Sequence, residues 1–219
     1  MKRFLAFVVA VIGLGMMMSG CTFGSHYIKE GYIQKNYIDK VKVDKKKVVG
    51  DRNIKFYVGK VEDKRKDKYV WMKRTYFWIP VGAIHFKDIC GTVRHLTERA
   101  LEQTGWGVVD SGNSADFVVD TVIRDFTNHM GLLNSWYITE SDICIYNNYE
   151  KRIISKHLHK KKFGFVFHPD LTGKFKFIVG DMSVQYYKAL LDYFSSPEFV
   201  KAIKEAYAKE NDNLTETNN

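Results

Sequence analysis

Apolar and polar residues alternate along four stretches of this chain. Along two others the apolar residues recur at three- and four-residue spacing. The first pattern predicts strands with one buried face, the second amphipathic helices that need a sheet to cover. "NIKFYVGKV" (53–61) reads as a strand through Ile54, Phe56 and Val58. "DFVVDTVIRDF" (116–126) sets Phe117, Val119, Thr121 and Ile123 against Val118, Asp120, Val122 and Arg124. "SWYITESDICIYNN" (135–148) and the segment 149–167 alternate likewise, with a turn near Asn147–Asn148, so an antiparallel meander is expected. "WGVVD" after Gly105 adds a short strand.

The clearest helix is 85–105, where Phe86, Ile89, Cys90, Val93, Leu96, Ala100 and Leu101 form a stripe. Gly105 is its natural stop, since glycine accepts a left-handed backbone at low cost. A second helical region opens at Asp181 and Ser183, with Tyr186, Leu190, Leu191 and Phe194 on one face. Ser196-Pro197-Glu198 is a fresh helix start, and Phe199, Ile203, Ala206 and Tyr207 carry the stripe to about 209. This order predicts an α+β fold, a two-layer sandwich of mainly antiparallel mixed sheet packed by two amphipathic helical regions.

Two segments read less regularly. Between 69 and 84 the chain is rich in aromatics, as one strand of a hairpin or an ordered loop, and Pro80 should interrupt pairing. Residues 22–50 repeat Tyr-Ile at 27, 32 and 37. A period of five fits neither helix nor strand, which predicts an extended tether. The expected organisation is therefore a leader at 1–20, an anchored tether at 21–50, one domain at 51–209 and a disordered tail at 210–219.

The leader changes the picture most. Lys2 and Arg3 precede fifteen uncharged residues, Phe4 to Met18. As a helix these reach roughly 22 Å, short of the ~30 Å of a bilayer's hydrocarbon core. A basic start, a short apolar run and small residues is the layout of a secretory signal. Ser19 and Gly20 stand directly before Cys21, and Met18 three places before it, which resembles the bacterial lipobox. That resemblance implies diacylglycerol on the Cys21 thiol, cleavage before it and acylation of the new amino terminus. Two or three acyl chains hold a protein on a membrane far more firmly than one. Thr22 stands where an Asp would favour retention at the inner membrane of enteric bacteria, so the periplasmic face of the outer membrane is expected.

Charge is read in that setting. The net charge of +9 falls to +7 once Lys2 and Arg3 are removed. Basic chains often bind nucleic acid, but export removes that partner. The remaining anions are phospholipid heads, lipopolysaccharide phosphates and peptidoglycan carboxylates, and an unspecialised basic surface is equally open. Cys90 and Cys144 could pair in an oxidising compartment, or remain as small buried hydrophobes.

The order of elements after a lipobox resembles the YajG-like outer-membrane lipoproteins and the auxiliary lipoproteins of ABC-type lipid transport. It spans about 52–208, through "EDKR", "LEQTGWGVVD", "SADFVVDTVIRDF" and "SDICIYNNYEKRIISKHLHKKKFGF". The segments 69–84 and 168–180 depart from it. The resemblance implies a periplasmic αβ module beside the outer membrane, without catalytic residues to transfer.

The residues themselves offer little catalytic chemistry. There is no G-x-S-x-G elbow, Walker loop or H-E-x-x-H, and "GWGVVD" lacks the third glycine of a dinucleotide fingerprint. Asp120 and Asp125, five apart, should point to opposite faces of one strand. "HPD" at 168–170 matches the J-domain tripeptide without its flanking helices. His157 and His159 share a strand face, as metal ligands can, but spacing supplies no third ligand beyond a folded-in Asp142 or His168. An exposed polar face, with no metal and no cofactor, is the expectation. The best candidate contact surface is "WMKRTYFW", with Trp71, Arg74, Tyr76 and Trp78, residue types enriched at binding hot spots. Alternate members filling the core is the competing account. The sequence thus favours a non-catalytic binding or adaptor lipoprotein, serving an envelope protein or an anionic lipid or glycan. A peptidoglycan- or appendage-associated anchor is the alternative, and an envelope hydrolase follows behind.

Overall fold

In the computed structural model, residues 25–29, 31–74, 80–130, 134–147, 151–165 and 175–216 are described. In chain order they form β1 (His26–Ile28), α1 (Tyr32–Asn36), β2 (Lys55–Asp63), β3 (Trp71–Arg74), β4 (Pro80–Phe86) and α2 (Ile89–Gln103). Next come β5 (Gly107–Val108), β6 (Phe117–Met130), β7 (Asn134–Asn147), β8 (Arg152–Phe165), α3 (Phe175–Phe194) and α4 (Pro197–Glu216). The fold is α+β.

The fourteen-residue strand β6 organises the sheet. One edge carries the antiparallel meander β6–β7–β8. The other edge is shared. β2 runs parallel to its first half, from Phe56 opposite Phe117 to Asp63 opposite Ile123, and β3 meets its far end at Asn128. The sheet forks there, with β5 beyond β2, and β4 then β1 beyond β3. The detour between β2 and β3 is pinned by Arg65, which is buried and bonds both carboxylate oxygens of Asp63, at 2.9 and 3.1 Å. Burial opposes ionisation of Asp63, but those bonds and the Arg65 charge hold its carboxyl below the usual range.

The core lies between the sheet and α2, α3 and α4. Phe56, Val58, Phe117, Val119, Ile123, Phe126, Ile143 and Ile145 face the helices and are buried. From α2 come Ile89, Val93, Leu96, Ala100 and Leu101, the expected stripe. Trp106 belongs to an aromatic cluster with Phe56, Phe194 and Phe199. It packs edge-on against Phe56 and Phe199, and its indole N–H donates to the Phe194 carbonyl at 3.1 Å.

Helix ends follow local chemistry. Asp88 caps α2 by accepting from the Gly91 N–H at 2.8 Å, so Phe86 belongs to β4 rather than to the helix. At the far end Gly105 takes φ of 94° while Trp106 N–H returns to the Leu101 carbonyl and Gly105 N–H to Glu102, closing the last turn. Ser196 caps α4 through the Phe199 N–H at 3.2 Å, with Pro197 in the first helical position as expected.

Four expectations are corrected. The segment 26–50 is not a free tether. β1 pairs with β4, Ile33 and Ile38 are buried, and the Tyr37 ring lies where a Cβ at Gly180 would be. The five-residue period has a physical sense after all, because the chain changes conformation at each repeat: strand, helix, then a 3-10 turn at Ile38–Lys40. Helix α3 begins at Phe175, well before Asp181, and Gly180, which resembles a breaker in the sequence, admits Tyr37 from the N-terminal segment. Helix α4 continues to Glu216, into the stretch expected as a disordered tail, since extending an existing helix orders only one residue per hydrogen bond. At Pro80 the sheet resumes rather than breaks: it is the first residue of β4, opposite Arg74, where proline is tolerated.

Candidate functional site

The helices cover one face of the meander, and the other face carries its polar chemistry. On β7 the buried residues Tyr137, Thr139, Ser141, Ile143 and Ile145 alternate with Glu140, Asp142, Cys144 and Tyr146, which are partly exposed. On β8, Ser155, His157 and His159 point to that same outer side and are exposed. Register does the rest: Asp142 lies opposite His157, and Glu140 opposite His159.

A bulge in β6 completes the group. Ile123 pairs with Ser141 and Asp125 with Glu140, so Arg124 is an extra residue on its strand. Bulges re-aim side chains, and this one sends the Arg124 guanidinium to Asp142, with Nε 2.8 Å from Oδ2. The other Asp142 oxygen lies 2.7 Å from Nδ1 of His157. The His157 hydrogen bond and Arg124, against slight burial, hold the Asp142 carboxyl below its ordinary range. Glu140 lies between the imidazoles, Oε1 3.7 Å from His157 Nε2 and Oε2 3.6 Å from His159 Nδ1. The two rings are nearly parallel, at 14° and 6.4 Å between centroids.

The bulge also corrects the reading of Asp120 and Asp125. The extra residue restores parity, so both lie on the outer face. They do not act together. Asp120 accepts from the Lys60 N–H at 2.7 Å and Asp125 from the Thr127 hydroxyl at 2.6 Å.

The sequence-based site residues fare unevenly. Trp71 and Arg74 are the first and last residues of β3. Cys21, Tyr76, Trp78 and His168 lie outside the described residues. Cys90 and Cys144 are separate free thiols, one on α2 and one on the outer face of β7. Burial and the nearby Asp63 and Asp88 charges push the Cys90 thiol up, away from reactivity. Of the two third partners considered for the histidines, Asp142 orients His157, while Glu140, which the spacing did not suggest, faces both rings.

A second feature is a largely apolar cleft of about 340 Å³ where β1 and α1 meet β4 and α3, with Tyr27, Ile28, Tyr32, Ile33, Ile84 and Val179 in its walls. The lysines of β8 have a structural account. Among the described residues β8 pairs only with β7, and Lys156, Lys160, Lys161 and Lys162 along so long an edge discourage another strand from joining. No described helix is long and apolar enough to cross a membrane.

No protein-family model matches the chain, and no curated protein shows significant similarity. Solved structures show a distant likeness to the chain. A DUF330 protein from Xanthomonas campestris is 10% identical, with 72% of this chain and 88% of that one covered at a TM-score of 0.44. An uncharacterised protein is 9% identical, with 80% and 99% covered at 0.47. Rare lipoprotein B from Shewanella oneidensis is 12% identical, with 64% and 96% covered at 0.36. Likenesses this distant carry no argument about function.

Proposed function

We propose that this chain is a bacterial envelope lipoprotein, anchored through acylated Cys21 at the periplasmic face of the outer membrane. Its αβ domain serves as a non-catalytic binding or adaptor module, auxiliary to lipid or envelope transport. The observation that carries this reading is the run Met18-Ser19-Gly20-Cys21 behind a basic start and a short apolar stretch. The resemblance to YajG-like and ABC-transport auxiliary lipoproteins supports the adaptor role. The folded segment 26–50 supports a close stand-off. Five residue steps separate Cys21 from His26, and at 3.3–3.6 Å each they span at most ~18 Å. The partner is then an envelope protein or an anionic lipid or glycan within reach of the membrane surface.

The test is Cys21→Ser in the native cell. Membrane retention should be lost, and the wild-type protein should carry the acyl mass. Unchanged retention with no acyl mass refutes the anchor. Crosslinking the wild type in place should then capture a transport component. Capture of peptidoglycan would favour the anchor alternative, and turnover of a cell-wall substrate by the protein would overturn the non-catalytic reading.

A further inference from the structure

The outer-face cluster goes beyond that reading. We propose that Glu140, His157 and His159 form a binding site for a divalent transition metal of the zinc class, with Asp142 orienting His157 and Arg124 orienting Asp142. Nothing in the argument depends on the lipid anchor or the adaptor role.

Geometry comes first. One donor atom from each of Glu140, His157 and His159 lies within 4.8 Å of the other two. The contacts from Glu140 to the rings, 3.7 and 3.6 Å, are too long for hydrogen bonds. They are close to the separation that metal ligands need. Bonds of ~2.0–2.1 Å to nitrogen and oxygen in a tetrahedron put neighbouring donors ~3.3 Å apart. Those two contacts use different oxygens of Glu140, and drawing one donor from each residue in from within 4.8 Å takes a movement of up to about 1.5 Å, at three side chains with solvent on one side.

The second observation is the partner behind the ligand. A ligating imidazole characteristically donates its other N–H to a carboxylate, which fixes the tautomer and aims the free lone pair. His157 has that arrangement: Nδ1 is 2.7 Å from Asp142, which leaves Nε2 facing Glu140. The carboxylate is itself fixed by Arg124 at 2.8 Å, on the bulge that β6 makes at that residue. A strand face that was merely polar would need neither the bulged arginine nor the shared register of Asp142 and Glu140 with the two histidines.

Charge and donor type set the class of ion. With neutral imidazoles, Arg124 balances Asp142, and Glu140 leaves the cluster one negative charge to attract a cation. Two nitrogens and one oxygen suit zinc, and also nickel or copper, better than calcium or magnesium, which take oxygen cages. Three protein ligands leave a fourth position open to solvent, where water or a donor from a docked molecule completes the shell.

The experiment titrates the full chain, purified in detergent, with zinc chloride by calorimetry, with magnesium chloride as the comparison. The expected result is one zinc per chain with micromolar affinity, and no magnesium heat. Glu140→Gln, His157→Gln and His159→Gln should each weaken binding at least roughly tenfold, and Asp142→Asn by roughly 10- to 100-fold, as for other residues behind metal ligands. His95→Gln, on α2, should change nothing. Because the cluster is exposed, metal-free thermal melts of the variants should match wild type, which separates lost ligation from lost fold. Imidazole proton shifts of His157 and His159 on zinc addition give a second readout. Absence of binding at millimolar zinc, or wild-type affinity in the His157→Gln/His159→Gln double variant, overturns the proposal.

Discussion

The two faces of the β6–β7–β8 meander are made from alternate residues of the same strands, yet they are held in different ways. The inner face is mainly apolar, with Phe126, Ile143 and Ile145 closed over by α2, α3 and α4 and with Thr121, Thr139 and Ser141 buried among them. Its order comes from burial, which needs only that the right side of each strand be mainly apolar. The outer face has order without burial. Arg124, Asp142, His157, Glu140 and His159 hold one another by register, and each remains partly exposed to water. Stability is concentrated on one side of the sheet, and the arranged chemistry on the other.

That contrast is open to attack at three places. Trp106→Ala removes the largest side chain of the aromatic cluster and leaves the Phe194 carbonyl without its donor. A loss of about 3–5 kcal/mol in urea unfolding is expected. Gly180→Val tests the N-terminal segment on the helix layer. A side chain there collides with the Tyr37 ring, and overpacking of this kind costs about 1–3 kcal/mol. Trypsin should then cut sooner at Lys45–Lys47, and equal cutting rates would show that Tyr37 does not hold the segment. Arg124→Ala breaks the outer-face chain at an exposed ion pair, so the loss should stay below about 1 kcal/mol. A loss as large as that of Trp106→Ala would mean that the outer face bears structural load, and the contrast would fail.

The inner face was legible in the sequence because alternation and helical spacing are local properties. Phe117, Val119 and Ile123 announce one side of β6, as Val93, Leu96 and Ala100 announce one side of α2. The outer cluster was legible only in part. His157 and His159 show their shared face by a spacing of two, but Glu140 joins them through cross-strand register. Arg124 joins through a bulge that no residue pattern marks. The same limit explains the N-terminal segment. Ile28, Ile33 and Ile38 fit no single period because they sit in three different backbone conformations. The reason for a glycine at 180, the Tyr37 ring, lies far away in the chain, so nothing local extends α3 back to Phe175.

The attachment of β1 has a mechanical consequence. If Cys21 carries the proposed lipid anchor, tension on it reaches the fold at an edge strand. It meets first the three residue pairs between β1 and β4, then Tyr37 in its notch at Gly180. Both lie away from the Trp106 cluster. The junction can therefore peel back and lengthen the leash under load while the sheet and its covering helices stay closed.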